Sequence, residues 1–358
     1  EHDDVRSELI AVTGYNARGS LNQVVVPVES PAQTLADLAD GVVSTSVGSA
    51  AHGMLVAELD RAGLSSDDVQ VLNQEPAVGA SAVEGRQVDA LAQFVPWPQS
   101  MIFSGEARLL HDGGDAELPT FHAVVSGQAF GEEHPEVVHA FLESMQESTE
   151  YLNEHPLDAA QEVSAVTGLS PEVIYLYNGP NGLVSFDLTI KAELVEALEQ
   201  DLPFLRELGS LQELDLDEFI NDGYLRELFG DGYESQRDDL TSPSPLTGSD
   251  PVCGDEVSDP ATASEVWFDG SDETSVAVTP TCLLRQISEH DGEVRAAYVP
   301  DARTGTRIFA TSAAWVLDPE AAENEVLVPF AVVADAEAYA GERPGSRVLD
   351  YDAALAEL

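Results

Sequence analysis

Lysine is almost missing from this chain: Lys191 is the only one in 358 residues, so arginine supplies 14 of the 15 cations, set against 66 acidic side chains. Cysteine is nearly as scarce, with only Cys253 and Cys282, both in the last third. No stretch approaches the roughly 20 apolar residues that a bilayer-spanning helix needs. There is no G-x-x-x-x-G-K phosphate loop, no H-E-x-x-H pair and no nucleophile–base–acid pattern, so binding rather than catalysis is expected. The formal charge of −51 makes nucleic acid and anionic membranes poor partners.

That charge is spread evenly. Residues 1–250 hold 45 acidic and 9 basic side chains, a net of −36, and residues 251–358 hold 21 and 6, a net of −15. A partner-specific patch would be concentrated in one part, whereas this is a property of the whole surface. Such a surface repels itself until salt shortens the Debye length to a few ångströms. The composition resembles that of proteins from extreme halophiles.

The chain changes character at 238–249, where Asp, Ser, Pro and Gly cluster: Asp238-Asp239-Leu-Thr-Ser-Pro-Ser-Pro-Leu-Thr-Gly-Ser249. Such composition builds no regular ladder and buries little, so an exposed linker crossed by few contacts is expected there. The length fits two or three compact units. Two modules follow, residues 1–237 and 250–358.

In the first module, strands are expected at Val24–Val26, 42–47, 69–72 and 88–94, and helices at 54–62 and 77–84. This alternation predicts an α/β unit with a mostly parallel sheet, whose ligands sit at the carboxyl ends of strands. The turn Gly48-Ser49-Ala50-Ala51-His52 joins a strand to a helix. Its small residues let backbone N–H groups face a cleft, and Ser49 adds a hydroxyl, a combination suited to an anionic oxygen. An ordinary N-cap without ligand explains the same residues. Trp97, between Pro96 and Pro98, reads either as a rigid cleft wall or as a half-buried packing residue.

Several runs carry a family likeness. Thr34-Leu-Ala-Asp-Leu38, Val43–Val47, Gly48-Ser-Ala-Ala-His52, Gln87-Val-Asp-Ala90, Phe130-Gly-Glu-Glu-His-Pro-Glu-Val-Val-His-Ala-Phe-Leu142, Tyr177–Gly182 and Phe219–Leu225 together resemble periplasmic solute-binding proteins of ABC importers. The branch is the one for sulfonate, taurine, nitrate and thiamine precursors. The resemblance implies a two-lobed clamp that closes on a small-molecule solute and delivers it to an ABC permease. By position, Gly48, Ser49, Ala50, Ala51 and His52 would hold the anion and Trp97 would wall the cleft. Residues 35–119 would form the second lobe, and residues 1–34 and 120–237 an incomplete first lobe with exposed apolar surface. The location implied is extracytoplasmic; the chain begins at Glu1, so an export signal is expected to have been removed or to lie outside this sequence. A precursor-synthesis enzyme, known among relatives of the clamp fold, would want a histidine cluster that His52, His111 and His122 do not form in sequence.

In the second module, strands are expected at 264–268, 294–299 and 328–333, an apolar stretch at 313–317, and helices from Thr279 and at 335–340 and 352–358. The order suggests a compact α+β unit of two similar halves. Pro251-Val-Cys-Gly254, Pro280-Thr-Cys282, Ala297-Tyr-Val-Pro-Asp301 with Thr304-Gly305, and Ala313-Ala-Trp-Val316 resemble the NosL family, exported copper-binding accessory proteins of nitrous oxide reductase. The resemblance implies Cu(I) held by Cys253 and Cys282, with cuproenzyme maturation machinery as the partner. A soft ion of this kind takes thiolates at low coordination number. Yet Asp250 stands where the family has its first cysteine and Asp255 where it has a methionine, and no methionine lies near Leu327. A disulfide or two inert thiols are the alternatives, and His290 is a further candidate ligand.

Overall fold

The computed structural model describes residues 6–65, 67–207 and 214–358. The first module runs β1 (Ser7–Asn16), β2 (Asn22–Pro27), β3 (Val42–Thr45), α1 (Ala50–Arg61), β4 (Gln70–Asn73), α2 (Pro76–Glu84), β5 (Ala90–Phe94), α3 (Trp97–Phe103), β6 (Ala107–Asp112) and β7 (Thr120–Gly127). It continues with α4 (Gln128–Glu133), α5 (Pro135–Glu154), α6 (Pro156–Thr167), α7 (Pro171–Asn178), α8 (Ala192–Glu207), α9 (Leu216–Phe219), α10 (Gly223–Phe229) and α11 (Tyr233–Arg237). Proline opens α2, α5, α6 and α7, where its missing N–H costs nothing and its fixed φ suits the first turn.

Five strands form one sheet in the order β4-β3-β5-β2-β6. β3 is parallel to β4 and β5, but β2 is antiparallel to both β5 and β6, so four strands point one way and β2 opposes them. The sheet is covered on both faces. Val24 and Val26 pack with Leu55 and Leu59 of α1, while Val25 and Leu91 pack with Val83 of α2 and Met101 beside it. Each such fully buried side chain contributes about 1.5–3 kcal/mol.

β1 and β7 pair antiparallel and carry the chain away from that sheet. Helices α5, α8 and α10 bury Val138, Leu142, Leu194 and Leu225 around β1. Beneath them, Lys191 is 1% exposed; its Nζ donates to Asp187 Oδ2 at 2.5 Å and to the Gln236 carbonyl at 2.8 Å, above the Tyr15 ring. Within residues 120–237, where exposed apolar surface is expected, Val125 and Phe141 are each 51% exposed.

The second module contains β8 (Ser264–Phe268), β9 (Ser275–Ala277), α12 (Pro280–Glu289), β10 (Val294–Pro300), β11 (Arg307–Phe309), β12 (Ala314–Leu317), β13 (Leu327–Phe330), α13 (Val333–Gly341), β14 (Arg347–Leu349) and α14 (Tyr351–Leu355). Its halves do repeat. β8 pairs with β9 and, after α12, with β10; β12 pairs with β13 and, after α13, with β14, all antiparallel. The strand expected at 328–333 stops at Phe330, and Val333 already opens α13.

The stretch 238–249 is mostly exposed, as expected, but the modules it joins are in contact. Leu246 is buried, its N–H donates to Asn181 Oδ1 at 2.9 Å, and the Ser244 carbonyl accepts from Asn181 N–H. Trp267, Ala296, Tyr298 and Phe309 share one core with Val173, Ile174, Tyr175 and Leu176 of α7. Apolar faces on both sides explain this: neither sheet nor helix could leave such area in water.

Candidate functional site

The carboxyl ends of β3, β4 and β5 carry the loop singled out by sequence. β3 ends at Thr45, and α1 starts at Ala50. Gly48 has φ +89°, a conformation that side chains with a Cβ rarely adopt, and this turn aims the helix start back over the sheet edge. Ser49 is the N-cap, its Oγ accepting the His52 N–H at 3.3 Å, and the Gly53 N–H bonds to the Ser49 carbonyl. Of the four N–H groups that a helix start leaves without intrahelical partners, those of Ala50 and Ala51 remain without an acceptor among the described residues.

His52 is 7% exposed, and burial lowers its pKa, so its imidazole is neutral at pH 7. Its Nδ1 accepts from the Gly48 N–H at 3.3 Å, which puts the ring proton on Nε2. The ring leans on Phe204 of α8, centroids 5.6 Å apart. Around the loop, Val47 N–H donates to Asn73 Oδ1 at 3.1 Å, Gln93 Nε2 to Ser46 Oγ at 2.7 Å, and Ser46 Oγ to the Gln74 carbonyl at 3.2 Å. Thr45 Oγ1, buried directly before the loop, has no partner among the described residues. Asn73, Gln93 and Phe204 carry no signal in the local sequence, since only tertiary pairing brings them here. The loop is an uncharged set of donors in a very acidic chain.

Trp97 opens α3 just after β5, the strand that runs parallel beside β3. It is half-buried and packs on the cluster of Val25, Val83, Leu91 and Met101, the face opposite α1. These contacts account for its buried side, and its remaining surface stays open at the carboxyl end of β5. The histidines stay apart. His111 lies between Glu58 Oε2 (3.6 Å) and Asp115 Oδ2 (3.9 Å), and His122 Nδ1 is 3.4 Å from the Tyr177 hydroxyl.

Cys253 and Cys282 form a disulfide. Asp250 lies close enough that its carboxylate and both sulfurs fall within 4.8 Å of one another. The donors do not fit Cu(I) in this form. Each sulfur is bonded to the other, and the carboxylate accepts the N–H groups of Val252 and Cys253 at 2.9 Å and Val278 at 3.0 Å, and Gln286 Nε2 at 3.1 Å. A carboxylate is in any case a hard ligand for a soft ion. His290 instead stacks on Phe268, centroids 3.7 Å apart.

A third polar group joins the modules at the β2–β6 end of the same sheet edge. Asp112 Oδ2 accepts from Thr304 Oγ1 at 2.9 Å and from Thr306 Oγ1, and Ser20 Oγ is 2.6 Å from Thr306 Oγ1. Arg303 reaches Asp115 at 3.0 Å and also pairs with Asp335. Burial pushes the Asp115 carboxyl up to about 6 despite the Arg303 guanidinium. Burial likewise lowers the pKa of His111, opposed by Glu58. Between Gln23, Gln99, Leu176, Arg307 and Phe309 the junction leaves only about 20 Å³, room for one water. The larger concavity of about 450 Å³ lies at the opposite, amino end of the sheet, beside Asp37, Asp40 and Asp89, and its carboxylates disfavour an anion.

Residues 9–159 match the family model described as NMT1/THI5 like. The chain is 27% identical over 154 residues to a putative aliphatic sulfonates-binding protein of Escherichia coli (strain K12), covering 43% of this chain. It spans 48% of that relative, about half its length. Among solved structures, the alkanesulfonate-binding protein SsuA from Xanthomonas axonopodis pv. citri bound to MOPS superposes with a TM-score of 0.52 at 22% identity, over 60% of this chain and 73% of that one. The desulfurization enzyme DSZB gives 0.51 at 18%, over 62% and 78%. These likenesses establish a periplasmic-binding-protein-like α/β fold for the first module.

Proposed function

We propose that this chain is the extracytoplasmic solute-binding component of an ABC importer, taking a small anion of the sulfonate or nitrate kind, with an ABC permease as partner. The observation that carries this reading is the Gly48–His52 turn, which falls inside the family match and aims the α1 N–H groups, without any fixed cation, at the carboxyl edge of the sheet. Helix N-termini hold anionic oxygens through N–H donors and the helix dipole. Ala50, exposed at the helix start, supplies such a donor, the buried Ala51 stands behind it, and His52 adds an Nε2–H. The matched E. coli relative bears the name of a sulfonate-binding protein, and a neighbour holds the sulfonate buffer MOPS. The disulfide suits an oxidising compartment.

Thermal melts of the whole chain at fixed high salt, with MOPS or nitrate added, test this. A ligand at 100 times its Kd adds about 2.7 kcal/mol and raises the melting temperature. A flat response to both anions, or an equal shift in an Ala50→Pro variant that removes one N–H donor, would sink the anion site. The proximity of Cys253 and Cys282 favours a second reading, in which the second module, once reduced to two thiols, handles Cu(I) for a cuproenzyme maturation system. Cu(I) titration of the reduced chain, with and without Cys282→Ser, checks it; equal uptake by both would dismiss the cysteines as ligands.

A further inference from the structure

We propose that residues 250–358 brace the clamp, gripping both sides of the β1–β7 crossing and fixing the five-stranded sheet and the β1–β7 unit at one angle, so that solute is taken up without the two rotating. Its functional meaning rests on the solute-binding reading, whereas the angle can be measured with no solute present.

On the sheet side, the grip consists of Thr304 and Thr306 on Asp112, Thr306 on Ser20, and Arg303 on Asp115. Phe309 adds an aromatic contact with Phe103, centroids 5.0 Å apart, and Val332 lies on the α2–α3 cluster. On the helical side, Tyr298 OH donates to the Glu172 carbonyl at 3.0 Å, and the Tyr175 hydroxyl to Glu265 Oε2 at 3.0 Å. Asn181 Nδ2 donates to the Pro260 carbonyl at 2.7 Å, and Arg307 binds both Glu265 and the Pro180 carbonyl.

Only two connections join the five-stranded sheet to the β1–β7 pair, 17–21 and 113–119, and two short connections of this kind would by themselves permit a hinge. Opening about them would pull Asp112 away from two hydroxyls while it is 3% exposed, or peel Tyr298 and Trp267 from α7. A buried polar group left without its partners is costly, and two packed faces gripping the same rigid module resist rotation together. The junction cavity has room for only about one water, so the packed faces leave little slack there.

The test uses the full chain with spin labels at Ala62→Cys on the end of α1 and Gln161→Cys on α6, both exposed positions. A single narrow distance is expected, unchanged by MOPS or nitrate. Thr304→Ala with Thr306→Ala should add a second distance, and Arg303→Ala, which removes only half-exposed ion pairs, should broaden the first if the double variant does not fold. Two populations in the otherwise unaltered chain would overturn the brace, as would an anion-induced shift or a narrow distance persisting in folded variants. If melts show no anion binding but the distance behaves as stated, the brace stands and the solute reading alone falls.

Discussion

Replacing Asp115 with Asn should reshape the pH dependence of stability in a calculable way. This carboxyl sits at the junction of the modules, 19% exposed, with its pKa raised from 3.8 to about 6. The folded state holds this proton more tightly than the unfolded chain does, so stability falls as pH rises between the two values and the buried charge has to form. The favourable contribution of the protonated group is therefore whole below pH 3.8 and disappears as pH rises through 6. A difference of about 2 pH units corresponds to roughly 3 kcal/mol, and partial exposure with high salt reduces this to roughly 2. Asn does not titrate. Relative to the parent, Asp115→Asn should then gain about 2 kcal/mol between pH 4 and pH 7, or some 2–3 °C in melting temperature for a cooperative unit of this size. The value of about 6 is already net of Arg303, which lowers it, so losing that ion pair in the variant takes nothing further from the pH-dependent gain. Melts of both proteins across pH 4–8 at one salt concentration provide the measurement, and the general acid response of the chain's 66 acidic side chains largely cancels in the difference. Parallel curves, or a difference that falls with rising pH, would refute burial as the cause.

Arg307→Ala should cost about 3–5 kcal/mol, because it strands Glu265, which is 0% exposed; chemical denaturation should show a lower midpoint with a single transition. Cys282→Ser should cost about 3–4 kcal/mol in oxidising buffer, through the loop closed over a sequence separation of 29, and the parent should fall to the same level once reduced.

Much of the fold is readable where periodicity speaks. Val24-Val25-Val26 and the strand 264–268 lie where apolar pattern places them, the helix expected from 54 starts one turn earlier at Ala50, and the twofold repeat of the second module is plain in its order of elements. Strand direction is not readable, since alternation is the same in parallel and antiparallel pairs, and so the reversal of β2 leaves no mark in the pattern. The apolar run 328–333 hides a boundary at Phe330 because both a buried strand and a helix start accept valine. Composition also misleads at 238–249: serine and proline there conceal Leu246, whose burial depends on Asn181 some 65 residues away. In the site, Ser49 is legible as a cap. Asn73, Gln93 and Phe204 are not, because local sequence does not encode which distant side chains converge on a loop.

The placement of Lys191 has a practical consequence. The only ε-amine in the chain lies beneath Asp187 and the carbonyl of Gln236, so the native exterior presents guanidinium groups but no lysine amine. Acylating reagents would find no lysine target on the folded molecule and would react at this position only when the helical part around β1 opens. A single site silent in the native state turns slow amine acylation, read by mass spectrometry, into a clock for the opening of that region.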